Sequence, residues 1–458
     1  MRYPAHSVER LLQPGELQKA LNAIDAGVVP WETCVGLCRG DELSFAASGV
    51  AGGAAAAAFH TGCITKLFIA TLIRRAFAEG WLSSHMHAAD CVAPDPLVQE
   101  HLGSITILQL LEHTHGLDDS SVRRVPRHAD GRIDPGALCR QWGSRPLFTP
   151  PGTYYSYSHS GAWLLSAILE QRHGVPIEHI LRTRLLGPLG IEPFLTAASG
   201  WPPDSKPMSC PSSGGWLTLT LRDVMRFLQL VMRDGSSGLA ELPEMSGNFP
   251  GKAVPGLSPL EQAVYRGWKI YGGGWFGHHS QLPGALALIR LHPQQRIAFA
   301  IVCSERSPLS VATALLGRAL PGFSQLSIAK LLGPAELRLF DAPRFVGSWA
   351  NAAGTLSIVP GPEGRLLLRT DTPEALGESG VVSEAIRLAP ARDNVLMPLP
   401  PRASLPFVQL IGESRAGFSH LWDGTSVRPR QSPEDSFGQT CQPSQSMGDA
   451  VSPTGGRY

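Results

Sequence analysis

Two pairs of short apolar runs stand far apart in this chain, with mostly helical sequence between them. The first, "ETCVGLCRGDELSFAASG" (residues 32–49), reads as two strands around an Arg39-Gly40-Asp41 turn. The second, "ALALIRLHPQQRIAFAIVCSE" (285–305), reads as a strand, a turn and a strand. Between them, Leu67, Phe68, Ala70, Leu72, Ile73, Ala76 and Phe77 have the spacing of a largely buried helix from Thr65, stopped by Gly80. "SITILQLLEHTHGL" (104–117) predicts a short helix capped by Gly116, and Pro150-Pro151-Gly152 a turn before a second buried helix ending near Gly174. Further helices are expected over residues 8–26 and from about Arg222. Helices enclosed by N-terminal and C-terminal strands imply an α+β domain whose sheet is fed from both ends.

After about residue 335 the texture changes to short alternating runs between Gly, Pro, Asn and Asp turns, such as "RFVGSWAN" and "GRLLLRT". Residues 335–429 therefore read as a small all-β domain, sandwich or barrel-like, after a catalytic domain over 1–330. The tail, 430–458, is rich in Ser, Gln, Pro and Gly and is expected to be disordered. A formal net charge of +1 without a basic run leaves no electrostatic footprint for nucleic acid. The eight cysteines form neither a C-x-x-C pair nor a compact disulfide framework, which fits a reducing compartment. With no signal-peptide pattern and no membrane-length apolar run, the expectation is a cytoplasmic protein without a membrane partner.

The chemistry begins at "FHTGCITKLF", where Lys66 follows Cys63 by three residues. If Cys63 opens the helix, the two share a face, and a helix N-terminus and a nearby cation both favour thiolate over thiol. Alone, C-x-x-K is far more often a buried core cysteine beside an unrelated lysine. Two later segments add to it: Tyr157-Ser158-His159 ahead of the second buried helix, and "GHHSQLPG" (277–284), which reads as a Gly-rich turn leading into a strand. In this order and spacing the three segments resemble the S-x-x-K, Y-x-N and [HK]-x-G motifs of the serine β-lactamase and penicillin-binding-protein superfamily. They stand here as Cys63-Ile64-Thr65-Lys66, Tyr157-Ser158-His159 and His278-His279-Ser280, with "LLEHTHGL" (110–117) as a supporting phrase. The motifs depart from the family at three places: Cys63 replaces its Ser, His159 its Asn and Ser280 its Gly. A metallo-hydrolase reading of His113-x-His115 with Asp118 and Asp119 has no further ligand set, so no metal is expected.

The resemblance implies an antiparallel sheet with helices on both faces plus an α-helical subdomain. It assigns Cys63 as nucleophile, Lys66 as general base, Tyr157 as proton relay, and His278 as the group steadying the tyrosine and substrate. The backbone N–H groups of Cys63 and Gln281 would form the oxyanion hole beside Ser280, and His159 would orient Lys66. A thioester on sulfur reacts with amines far faster than with water, which biases a cysteine enzyme towards aminolysis. The chain is thus similar to the stand-alone penicillin-binding-protein-type thioesterases of nonribosomal peptide synthesis, of the surugamide and wollamide cyclase type. In those a lipocalin-like β domain follows the catalytic one. That likeness implies release by macrolactamisation of a linear peptide taken from the phosphopantetheine of a peptidyl carrier protein, without a separate cofactor. Two alternatives stay open: an esterase or D-aminopeptidase-like hydrolase, and a catalytically inactive binding homologue.

Overall fold

The computed structural model describes residues 7–25, 32–50, 52–92, 94–118, 122, 125–143, 147–192, 217–233, 261–282, 285–304, 307–317, 319–320, 342–351, 354–362, 366–370, 385–392, 395–399, 408–414, 417–422 and 427–431. Helices α1 (Val8–Leu12) and α2 (Glu16–Asp25) precede strands β1 (Thr33–Arg39) and β2 (Glu42–Ser48). A short strand β3 (Ala58–His60) and a 3-10 turn (Gly62–Ile64) lead into α3 (Thr65–Ala78). Helices α4 (Pro96–Leu102), α5 (Ile107–Leu111), α6 (Pro135–Trp142), α7 (Ser160–His173) and α8 (Ile177–Leu181) follow. Strand β4 (Thr218–Thr220) pairs with β3 and runs into α9 (Leu221–Arg233). The domain closes with β5 (Glu261–Tyr265), β6 (Trp268–Tyr271), β7 (Trp275–Leu282), β8 (Ala285–His292), β9 (Ile297–Cys303) and α10 (Pro308–Leu316).

Seven of these strands form one antiparallel sheet in the order β2-β1-β9-β8-β7-β6-β5. The sheet is fed from both ends of the chain, as the two distant strand pairs imply: β1 lies against β9 with Leu37 opposite Phe299. Period-2 alternation sorts the faces. Cys34 and Cys38 of β1 with Ala298, Ala300 and Val302 of β9 face the large core that holds α3, α7 and α9. Val35 and Leu37 with Phe299 and Ile301 face the smaller core under α1, α2 and α10. Helices therefore cover both faces. Gly36 sits under α9, where a Cβ would meet Met225 Cγ at 2.8 Å, so the glycine permits that close approach.

Three local expectations are corrected. The helix over 8–26 is broken between Leu12 and Glu16, because Pro14 has no N–H to donate and Gly15 has a φ of +76°. The short helix α5 is closed at its start by a Thr106–Gln109 capping box and ends at Leu111, well before Gly116. His113 turns the chain away with a φ of +54°, and Gly116 (φ +79°) lets the backbone press against the Thr149 carbonyl. Finally, "GHHSQL" is strand and not turn: all six residues lie in β7, paired with β8 from Gly277↔Arg290 to Leu282↔Ala285.

Towards the C-terminus come β10 (Gly347–Asn351), β11 (Gly354–Pro360), β12 (Leu366–Thr370), β13 (Ile386–Arg392), β14 (Val395–Leu399), β15 (Val408–Ser414), β16 (Gly417–Trp422) and β17 (Val427–Pro429). They form a second antiparallel sheet in sequence order, each strand beside the next. Trp349 bridges to Arg430, and the Gln431 N–H donates to Ser348 O at 2.9 Å, so the first and last strands meet and the sheet curls on itself. Inward-facing Leu356, Ile358, Leu366, Leu368 and Leu410 build a core around Trp349 that is separate from the other two. The expected boundary near 330–335 and residues 432–458 of the expected disordered tail lie outside the described residues, while Arg430 still joins the ladder. Among the described residues no helix is long and apolar enough to cross a membrane.

Candidate functional site

Cys63 lies in the 3-10 turn directly ahead of α3, and Lys66 in the first turn of that helix. The turn is tied down from below: the backbone N–H and the hydroxyl of Thr61 both donate to Leu217 O at 3.0 Å, and Thr61 Oγ1 lies 2.8 Å from Thr65 Oγ1. Gly62 has a φ of +50°, and a Cβ there would collide with Ser280 Oγ of β7. Only glycine lets this turn lie against the strand that carries the third motif. Cys63 is half-buried, whereas Cys34, Cys38 and Cys139 are buried and desolvation pushes their thiols up to about 12. Those three are core thiols, inert at neutral pH.

The three motifs converge. Lys66 Nζ lies 2.9 Å from His159 Nδ1 and 4.8 Å from the centre of the Tyr157 ring. The Tyr157 ring is 5.5 Å from that of His159 and 5.9 Å from that of His278. Ser280 Oγ accepts the backbone N–H of Cys63 at 3.3 Å. Gln281, next along β7, is exposed. Every residue of the three motifs, with Gln281, thus lies on one of three adjoining pieces: the start of α3 with the turn before it, the segment before α7, or β7.

Two further residues belong to this cluster, and neither had an assigned role in acyl transfer. His113, noted in the sequence within a supporting phrase and in the H-x-H-x-D pattern, holds the Tyr157 segment through both backbone and side chain. Its carbonyl accepts the Ser156 N–H at 2.8 Å and its Nδ1 accepts the Ser158 N–H at 3.2 Å. Its ring packs between Tyr155 and Tyr157, with centroids 5.8 and 4.8 Å away. Burial, followed by the charges of Lys66 and its neighbours, drives its pKa well below the ordinary histidine value, so the ring is neutral and acts as a hydrogen-bond acceptor. His115 Nδ1 likewise accepts the Leu117 N–H at 3.1 Å. Asp119 of the H-x-H-x-D pattern lies outside the described residues. Among those described, no three His, Cys, Asp or Glu side chains are grouped as a metal ion would require.

The other is Lys269 of β6, a lysine only 7% exposed between Trp268 and Ile270. Its Nζ lies 5.5 Å from the Tyr155 ring centre and 5.8 Å from that of Tyr157. It is opposite Gly277, one residue before His278. His278 is buried, and desolvation first, then the Lys269 charge, hold its pKa well below the ordinary histidine value. Its Nδ1 is tied to the neighbouring backbone, 3.0 Å from the donating His279 N–H and 2.7 Å from His279 O. The site therefore contains two lysines around one tyrosine, with two neutral imidazoles completing the wall. Such a set is equipped to move protons near a half-buried thiol.

With this geometry in hand, the profile described as Beta-lactamase matches residues 38–320. Penicillin-binding protein 4 of Amycolatopsis lactamdurans is 24% identical over 341 residues, which is 65% of this chain and 85% of that protein. A crystal structure of SurE with D-Leu superposes with a TM-score of 0.62 at 23% identity, covering 91% of this chain and 98% of the other. The D-amino acid amidase of Ochrobactrum anthropi SV3, complexed with L-phenylalanine amide, superposes at 0.52 with 20% identity over 68% of this chain and 97% of its own. The profile covers more than half of the residues, from the end of β1 past α10, and takes in strands β2 to β9 and helices α3 to α10: the chain belongs to the beta-lactamase family.

Proposed function

We propose that this protein is a cysteine acyltransferase that takes a linear peptide from a carrier-protein thioester and releases it as a head-to-tail macrolactam. The observation that supports this most is the placement of a half-buried cysteine, in the nucleophile turn, beside the Lys66–His159 pair and Tyr157. In the first step the Cys63 thiol gives its proton through Lys66 and Tyr157, and sulfur attacks the pantetheine thioester. The peptidyl carbonyl moves to Cys63 Sγ, and the pantetheine sulfur leaves with a proton. Exchange of one thioester for another is nearly thermoneutral, so loading needs no cofactor. In the second step the peptide's own N-terminal amine attacks that carbonyl, the C–S bond breaks and the amine proton returns to sulfur. The N–H groups of Cys63 and Gln281 receive the oxyanion in both steps, His278 steadies Tyr157 and the carbonyl, and His159 orients Lys66.

The structurally similar SurE is seen with D-Leu, and another relative is a D-amino acid amidase. We accordingly assign a D-configured residue to the acyl end of the substrate. The amidase and penicillin-binding protein 4 also favour a second reading, hydrolysis of the same acyl-enzyme by water. One experiment separates them. A peptidyl N-acetylcysteamine thioester with a D-residue at its C-terminus yields, for a cyclase, a product lacking the thiol and carrying no added water. Linear acid as the sole product makes the protein a hydrolase. Cys63→Ala abolishes turnover; full activity in that variant refutes the mechanism, and absence of any adduct on wild-type Cys63 makes the chain a binding homologue.

A further inference from the structure

Lys269 carries an inference beyond these assignments, and it rests on the acyl-transfer reading for its purpose though not for its test. A lysine at 7% exposure in a strand core is costly to keep charged unless the groups around it offset the desolvation. Its placement is set by rigid elements. β5 and β6 are joined by Arg266 and Gly267, both at positive φ (+47° and +91°), the two-residue turn that matches strand twist. A Cβ on Gly267 would lie 2.7 Å from Ala70 Cβ, so this hairpin presses directly on α3, the helix of Lys66. Lys269 and Lys66 consequently approach Tyr157 from two elements locked together, each Nζ within 6 Å of the ring centre.

The groups facing Tyr157 are Lys66 of α3, Lys269 of β6, His113 after α5, His159 at the start of α7 and His278 of β7. In the third motif of the family the [HK] position is where a lysine or histidine steadies the tyrosine, and here it is a buried histidine. The lysine on that side of the ring comes from the adjacent strand instead. We propose that Lys269 is a positioning residue for acyl transfer: its ammonium stabilises the Tyr157 phenolate each time a proton passes between Tyr157 and the Cys63 thiol or the attacking amine. Charge–charge attraction in a buried site outweighs that across water, because little solvent screens it. Lys66 exchanges protons with its surroundings during the reaction, whereas Lys269 keeps its own.

The test is a spectroscopic titration that needs no turnover. Phenolate absorbance near 295 nm is followed against pH in the full chain, and the Tyr157 component is isolated by subtracting the Tyr157→Phe counterpart in each background. The expected result is that Tyr157 ionises at least one pH unit lower in the wild type than in Lys269→Met, and that Lys269→Arg keeps the wild-type position. Lys269→Gln serves as a second neutral variant should Lys269→Met fail to fold, with far-UV circular dichroism as the check. Coincident titrations in wild type and neutral variant overturn the proposal, as does Lys269→Arg titrating with the neutral variants. A protein that shows the shift but forms no adduct on Cys63 refutes the acyl-transfer reading alone.

Discussion

The exchange of oxygen for sulfur at Cys63 is matched by a second exchange 217 positions away, and the two meet at one hydrogen bond. Ser280 stands where the family motif has glycine, and its Oγ accepts the Cys63 N–H at 3.3 Å. That N–H is one of the two donors assigned to the oxyanion. On the proposed mechanism, the serine hydroxyl therefore occupies in the resting site what the substrate carbonyl has to take. Displacing one neutral hydrogen bond costs about 0.5–1.5 kcal/mol, a factor of roughly 2–10 in rate. Ser280→Gly is expected to accelerate acylation of Cys63 by a small activated thioester by that factor, as followed by intact mass against time. A slower reaction in Ser280→Gly means instead that the hydroxyl turns to donate to the oxyanion. The companion change, Cys63→Ser, is expected to retain part of the turnover and to divert more of it to hydrolysis, because an oxoester has lost the preference for amines.

At the scale of elements, helix α7 holds the site from behind, and its anchor is a buried carboxyl. Glu170 in its last turns accepts the Ile133 N–H at 2.6 Å on one oxygen and the Ile177 N–H at 2.8 Å on the other. Burial outweighs these two bonds and pushes its pKa up to about 7 from an ordinary value of 4.5. A carboxyl raised in the folded state binds its proton more tightly there than in the unfolded chain. Its contribution is complete below about 4.5 and is lost as pH rises through 7, by ~3 kcal/mol at most. Glu170→Gln removes the titration, so the difference in melting temperature between wild type and variant is expected to move against the wild type from pH 5 to pH 8. A constant difference across that range contradicts the assignment.

The elements also show what the sequence makes legible. Short, nearly continuous apolar runs in "TCVGLCR" and "IAFAIVC" mark two strands buried on both sides, and apolar spacing identifies α3 and α7, because both patterns are local. Strand β7 is hidden, because Gly277, His278, His279 and Ser280 carry little strand propensity and owe their conformation to pairing with β6 and β8. Cys63, Lys66, Tyr157 and His278 can be found as motifs. Lys269 cannot: its tie to the site is a register across β6 and β7, and a single lysine between Trp268 and Ile270 has no pattern of its own. His113 has a local signal, a histidine directly beyond an apolar helix, but its role depends on a segment some forty residues later.

At the scale of the molecule, the seven-stranded sheet and the C-terminal curled sheet have separate cores, yet they touch beside the candidate site. The ring of His420 in β16 lies 4.6 Å from that of Tyr154, three residues before Tyr157. Its Nδ1 lies 2.9 Å from Ser419 Oγ, and burial lowers its pKa, so a neutral, oriented imidazole packs against the segment that carries the tyrosine. His420 is only half-buried, so both cores are expected to stay folded when it is replaced. An aromatic contact of this kind is worth about 0.5–1.5 kcal/mol, again a factor of about 2–10 if it acts on the geometry of Tyr157. His420→Ala is expected to slow Cys63 acylation by that factor while calorimetric transitions move little. Tyr154→Ala should do the same, and the double variant should lose no more than either single one, as two ends of one contact require. Additive losses would mean that each residue acts elsewhere, and an unchanged rate in His420→Ala would leave the C-terminal sheet a neighbour of the catalytic machinery with no hold on it.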